Sequence, residues 1–221
     1  MTAPAAGRVV VLVPRPTPSG VDERSVARLA GAVADRGPWP VRIAYLDQGA
    51  PSIHDVLDEA ADEGAREVLV VPLAVPADGY LASWVARAVA HWRETRPAGP
   101  DVLTSGALTD TALLADAVAE LAGEPGTPVT ASPRSFRSPA WSTLEVPDRH
   151  LLVCRGPRCT VYGAGATYGV LADAARGTTT QVTPIGCIGP CNLGPLVIDH
   201  PSGQWHQKVD AVAAADLLRD P

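Results

Sequence analysis

Four cysteines constrain this 221-residue chain more than any other feature, and all four lie in its last third. They stand as Cys154-Arg155-Gly156-Pro157-Arg158-Cys159 and, after 26 intervening residues, as Gly186-Cys187-Ile188-Gly189-Pro190-Cys191-Asn192-Leu193-Gly194-Pro195. The pattern is C-x4-C followed by C-x3-C. Two disulfides would satisfy it, but nothing marks the chain as secreted, and disulfides are rare in reducing compartments. A structural zinc site would also accept it: zinc pairs usually run from C-x2-C to C-x4-C, so this combination is permissible but not typical. A [2Fe–2S] cluster matches the ligand count, because each of its two irons takes two cysteine sulfurs. The glycines and prolines beside each pair let the backbone bend and bring N–H groups to the sulfurs.

The segments around the cysteines follow a recognisable order. Residues 150–154 predict a buried strand running into the first ligand, residues 164–176 a helix, and residues 180–183 a second strand leading to Cys187. Residues 196–199 and 204–209 flank Pro201-Ser202-Gly203, a hairpin signal. Asp210 predicts the cap of a last helix over 211–219. With its GPRC and CxGPCxxGP motifs, this region resembles the thioredoxin-like [2Fe–2S] ferredoxins over roughly residues 148–220. The resemblance implies that Cys154, Cys159, Cys187 and Cys191 ligate a [2Fe–2S] cluster.

Residues 8–122 alternate strand and helix instead. The apolar run over 8–13 predicts a parallel strand covered on both faces. Helices are expected over 22–36 (Val26, Leu29, Ala30 and Val33 on one face), 52–63 (capped by Ser52), 81–92, and from a cap at Asp110 to residue 121. Strands are expected over 41–46, 66–73 and 101–103. This is an open, mostly parallel, doubly wound α/β sheet. Neither GxGxxG nor GxxxxGK[ST] follows the first strand, so nucleotide-binding motifs lend it no function. The chain therefore divides into an α/β domain (1–122), a Pro/Ser/Gly-rich strap (123–147) on which Phe136 and Trp141 dock, and a thioredoxin-like domain (148–221).

The first domain resembles the class II chelatases, the sirohydrochlorin cobalto- and ferrochelatases. The resemblance rests on residues 41–47 with Ala50-Pro51-Ser52, on residues 64–73, and on residues 106–110 with 113–118. The family's two histidines, which accept pyrrole protons and hold the incoming metal, are not matched. The first strand ends in Val13-Pro14-Arg15-Pro16, and Tyr80 stands near the second histidine position. Imidazole suits both tasks near neutral pH, whereas arginine does not deprotonate and tyrosine titrates near pH 10. His54 and His91 are expected to be solvated helix residues. His150, His200 and His206 belong to the cysteine-bearing part as a strand-entry residue and hairpin residues.

A cleft is still expected at the strand ends, with Arg15 and Thr17 after the first strand, Asp47 after the second, Asp78 and Tyr80 after the third, and Ser105 after the fourth. Arg15 there would pair a carboxylate-bearing, tetrapyrrole-like ligand. The leading expectation is an electron-transfer or accessory protein whose chelatase-like domain, with candidate cleft Arg15, Asp78, Tyr80 and Ser105, binds a redox partner or a tetrapyrrole-like ligand without catalysis. An active metal chelatase with a remodelled site is the second expectation, and a redox or metal sensor the third. The chelatase resemblance also implies a homodimer. Hydrophobic residues are 46 % and charged residues 19 %, with no membrane-length apolar run and no secretory signal, so a cytoplasmic protein is expected. The net charge is −6 and no basic stripe is present, which argues against nucleic acid.

Overall fold

The computed structural model describes residues 7–16, 21–128, 130 and 147–218. Thr17, Phe136, Trp141 and Arg219 lie outside the described residues, as does most of the expected strap.

The first apolar run forms β1 (Arg8–Pro14), one of two inner strands of a four-stranded sheet with β2 (Val41–Ile43), β3 (Glu67–Leu73) and β4 (Asp101–Thr104). The order is β2-β1-β3-β4 and every pairing is parallel. The interleaved helices are α1 (Glu23–Ala34), α2 (Ile53–Asp62), α3 (Gly79–Thr95) and α4 (Ala112–Gly123). This is the open doubly wound sheet expected. β2 is shorter than expected because the chain leaves the ladder after Ile43 to meet the next loop, where Tyr45 bridges Ser52. Ser52 caps α2 through a full capping box with Asp55, which satisfies two otherwise orphaned N–H groups.

The core is one-sided. α2 and α3 close one face with Ile53, Val56, Leu57, Leu81, Val85 and Trp92 against Val9, Val11 and Val13 of β1. Trp92 is fully buried and its Nε1–H donates to Asp58 Oδ1 at 2.8 Å, so the indole is packed without an orphaned donor. The other face is sparsely covered. Of the α1 stripe only Val26 is buried, and Leu29 is 45 % exposed. α4 buries no residue at all, leaving Leu113, Val118 and Leu121 78 %, 56 % and 66 % exposed. Asp110 is not its cap: it ends a short 3-10 turn (Leu108–Asp110), and Thr111 takes the cap position.

The second sheet has the order β6-β5-β7-β8, from β5 (Arg149–Cys154), β6 (Thr180–Ile185), β7 (Val197–His200) and β8 (Gln204–His206). β5 runs parallel to β6 and antiparallel to β7, which forms the expected hairpin with β8. A short helix α5 (Pro157–Val161) and the longer α6 (Ala164–Ala174) connect β5 to β6, and α7 (Ala211–Leu217) follows the hairpin. That arrangement is thioredoxin-like. Its core gathers Leu151, Val153, Leu171, Val197, Val209 and Ala214. Asp210 caps α7 as expected, accepting from the N–H groups of Val212 and Ala213. α5 was not expected, although Gly156-Pro157 carries its signal, proline at the first helical position.

Candidate functional site

β5 delivers Cys154 to the carboxyl edge of the second sheet, where its N–H donates to Leu196 O at 3.0 Å. α5 then turns Cys159 back beside it, and both thiols are buried. The loop after β6 brings Cys187, exposed, and Cys191, half-buried, to the same edge. All four cysteines are free. Their sulfurs fall as two pairs: Cys159 hydrogen-bonds Cys154, and Cys187 Sγ lies 3.7 Å from Cys191 Sγ. Among the described residues no three His, Cys, Asp or Glu side chains converge on a single-ion position.

Glycine is what lets the two loops meet. A Cβ on Gly156 would lie 2.6 Å from Cys187 Cβ and 3.2 Å from its sulfur, and one on Gly194 would lie 2.5 Å from Cys159 Sγ. Cys154 is the thiol most disposed to ionise, its pKa lowered to about 6. The Cys159 thiol and the N–H groups of Gly156 and Ile188 all favour its thiolate, against the cost of burial.

This edge faces the first sheet. Gln48 N–H donates to Arg155 O at 3.1 Å, and Gly186 approaches the Gln48 amide. Asp47, at the end of the β2 segment, is 4 % exposed, and its Oδ1 has no hydrogen-bond partner. Burial raises its carboxyl pKa; Arg15 and Arg155 act against this and Asp78 adds to it. Arg155 is buried too, with Nε unpartnered. Sequence reading passed over Arg155, because an arginine between two cysteines gives no sign of being buried against another element.

Arg15, Asp78 and Tyr80 do come together. Arg15 Nη1 donates to Asp78 Oδ2 at 2.6 Å, and the guanidinium lies 4.6 Å from the centroid of the Tyr80 ring. Asp78 Oδ1 caps α3, accepting from the N–H groups of Tyr80 and Leu81. One edge of the Arg15 guanidinium is therefore already engaged. The Tyr80 hydroxyl is pushed well above its usual range, by burial first and then by the negative charge of Cys187 and Asp47. Ser105 stays with its own loop, its Oγ donating to Gly106 O at 2.9 Å.

His54 is not the solvated residue expected. It is 8 % exposed, its Nε2 lies 2.8 Å from Ala88 O, and its ring stacks on His91 with centroids 5.4 Å apart. The Ala88 carbonyl can only accept, so Nε2 carries the hydrogen. His91 is exposed and reaches Tyr162 Oη at 3.4 Å. His150 pairs with Thr183 Oγ1 at 2.8 Å, His200 is exposed, and His206 approaches Asp199 at 3.9 Å.

Burial lowers the His54 pKa, and His91 and Arg96 act in the same direction; the Ala88 carbonyl and Asp58 oppose them. The unfolded chain thus binds this proton more readily than the folded one, so the contribution of His54 is complete above its unfolded pKa and is lost as pH falls below it. Thermal melting of the wild type should drop more between pH 7.5 and 5.5 than that of His54→Gln. Equal drops would show that His54 does not govern this range.

Residues 9–124, more than half of the chain, match the CbiX family model. The chain belongs to the CbiX family. A crystal structure of a putative cobalamin (vitamin B12) biosynthesis CbiX protein from Marinobacter aquaeolei VT8 is 16 % identical, covers 52 % of this chain and 93 % of that one, and has a TM-score of 0.46. The chain is also 45 % identical over 31 residues to a "Ferredoxin, 2Fe-2S" of Aquifex aeolicus (strain VF5). That match takes in 14 % of this chain and spans 28 % of the ferredoxin's length. The crystal structure of the wild-type thioredoxin-like [2Fe-2S] ferredoxin from Aquifex aeolicus is 24 % identical, covers 32 % of this chain and 82 % of that one, and has a TM-score of 0.31. No helix among the described residues of this CbiX-family chain is long and apolar enough to cross a membrane.

Proposed function

We propose that this CbiX-family chain is a [2Fe–2S] electron-transfer or accessory protein whose CbiX region, residues 9–124, binds a partner or a tetrapyrrole-like ligand without inserting metal. The observation that carries the reading is the pairing of four free thiols at one sheet edge, two and two, beside glycines where any side chain would collide with Cys187 or Cys159. Cys154, Cys159, Cys187 and Cys191 would hold the cluster, which supplies one-electron transfer when bound. Backbone N–H groups of Gly156, Ile188 and Leu196 point to the Cys154 and Cys159 sulfurs, and Arg158 sets a positive charge near Cys191. Such contacts stabilise added negative charge and raise a reduction potential. Among the described residues, no imidazole stands with Arg15, Asp47, Asp78 and Tyr80 at the strand ends.

Protein purified without oxygen should be red-brown, with about two irons and two sulfides per chain. Stoichiometric zinc without iron or sulfide, from cells grown with ample iron, would refute the reading.

Membership of the CbiX family favours a second reading, a working tetrapyrrole chelatase with a remodelled site. On either reading we propose a homodimer, supported by the three exposed apolar side chains of α4. Sedimentation equilibrium should give a dimer that Leu121→Glu converts to monomer; a monomeric wild type would count against it.

A further inference from the structure

A second cavity lies away from the strand-end cleft, between α3 of the CbiX region and α5, the helix that carries Cys159. We propose that this cavity binds a planar aromatic anion. It encloses about 420 Å³, within the range of about 300–1,000 Å³ usual for small-molecule sites. Its walls are flat and largely apolar: Trp84 and His91 on the α3 side, and Tyr162, with Val161, on the α5 side.

Two cations border it. The Arg87 guanidinium lies 5.0 Å from the Trp84 ring centroid, and that of Arg158 lies 5.4 Å from the Tyr162 centroid. Neither is engaged by a carboxylate among the described residues, unlike Arg15 in the strand-end cleft, which is spent on Asp78. A guanidinium stacked on a ring keeps its in-plane N–H donors available, in the fork that suits a carboxylate, phosphate or sulfonate. His54 contributes a wall fixed in place by its bond to Ala88 O and its stack on His91. Rings that accept a flat apolar body, with two forked donors for its anionic end, define the ligand class. A ligand seated there touches both halves of the chain, including the helix that presents Cys159.

The inference does not depend on the cluster, and the test uses the full chain as purified. The probe is 1-anilinonaphthalene-8-sulfonate, followed by fluorescence, with N-phenyl-1-naphthylamine as its uncharged analogue. Adenosine 5′-monophosphate and benzoate, added as competitors, distinguish a nucleotide from an aromatic carboxylate as the occupant. The sulfonate should bind saturably, and one of the competitors should displace it. Loss of one charge-assisted contact should weaken the sulfonate about tenfold or more in Arg87→Gln, and Tyr162→Ala should weaken it as well. Arg87 and Tyr162 are exposed, so neither change threatens the fold. Arg15→Gln, in the other cleft, should leave binding unchanged. Equal affinity for the uncharged analogue would show an apolar gap between the two halves and overturn the proposal. So would binding insensitive to Arg87→Gln, or binding lost in Arg15→Gln.

Discussion

If the chain holds the proposed [2Fe–2S] cluster, Cys159→Ser should fold and fail to hold the iron. The side chain is buried beside Cys154, and serine is smaller than cysteine, so packing tolerates the change. A hydroxyl is a poorer match for iron than a thiolate, and one of the two pairs is broken. The visible absorption should bleach and most of the iron should be lost, with far-ultraviolet circular dichroism unchanged. Gly194→Ala should do similar damage without touching a ligand, because its new methyl would sit 2.5 Å from Cys159 Sγ, closer than real contacts allow. Gly169→Ala is the control. It lies within α6 with open space around it, so it should keep the iron and gain about 0.5–1 kcal/mol of helix stability. A Gly194→Ala protein with full iron and an unaltered spectrum would show that the sulfurs are not held where the fold places them.

With sirohydrochlorin and Co2+, Fe2+ or Ni2+, the unmodified protein should insert metal no faster than the uncatalysed reaction. General-base catalysis contributes roughly 10²–10⁴ in rate, and metal positioning adds to it. The strand ends offer Arg15, which cannot take a proton, and Tyr80, whose hydroxyl burial and neighbouring negative charge keep protonated. Arg15→His combined with Tyr80→His should recover some activity, although removing Arg15 leaves Asp78 without its ion pair. Turnover near 1 s⁻¹ or above would be an ordinary enzyme rate and would establish the chelatase reading. Asp47 would then be the first residue to replace, because a buried carboxylate with a raised pKa is suited to accept a proton. Loss of turnover in Asp47→Asn, with iron content intact, would assign it that role.

Much of this was legible along the chain. Period-two and period-3.6 apolar patterns placed most of the strands and helices, since those patterns record which side of an element meets a core. The Ser52 and Asp210 caps were legible because a cap acts within three residues. Helix α5 was missed because a one-turn helix has no periodicity to show. The apolar stripe read for α1 does not meet a core along its length. Apolar spacing reports a face that can be buried, and at Leu29 nothing covers it.

The sequence by itself determined the two α/β halves, the four-cysteine frame and the lack of histidine in the first-strand turn, because each is written in residues near one another in the chain. Only the tertiary structure decided that His54 is buried and stacked on His91, that Arg15 is spent on Asp78, and that Asp47 and Arg155 lie buried where the two halves meet. The same holds for the cavity between α3 and α5. These are contacts between residues from 34 to more than 100 positions apart, and no local pattern encodes them. Burial and partnership are properties of the packed chain, set by which surfaces exclude water together.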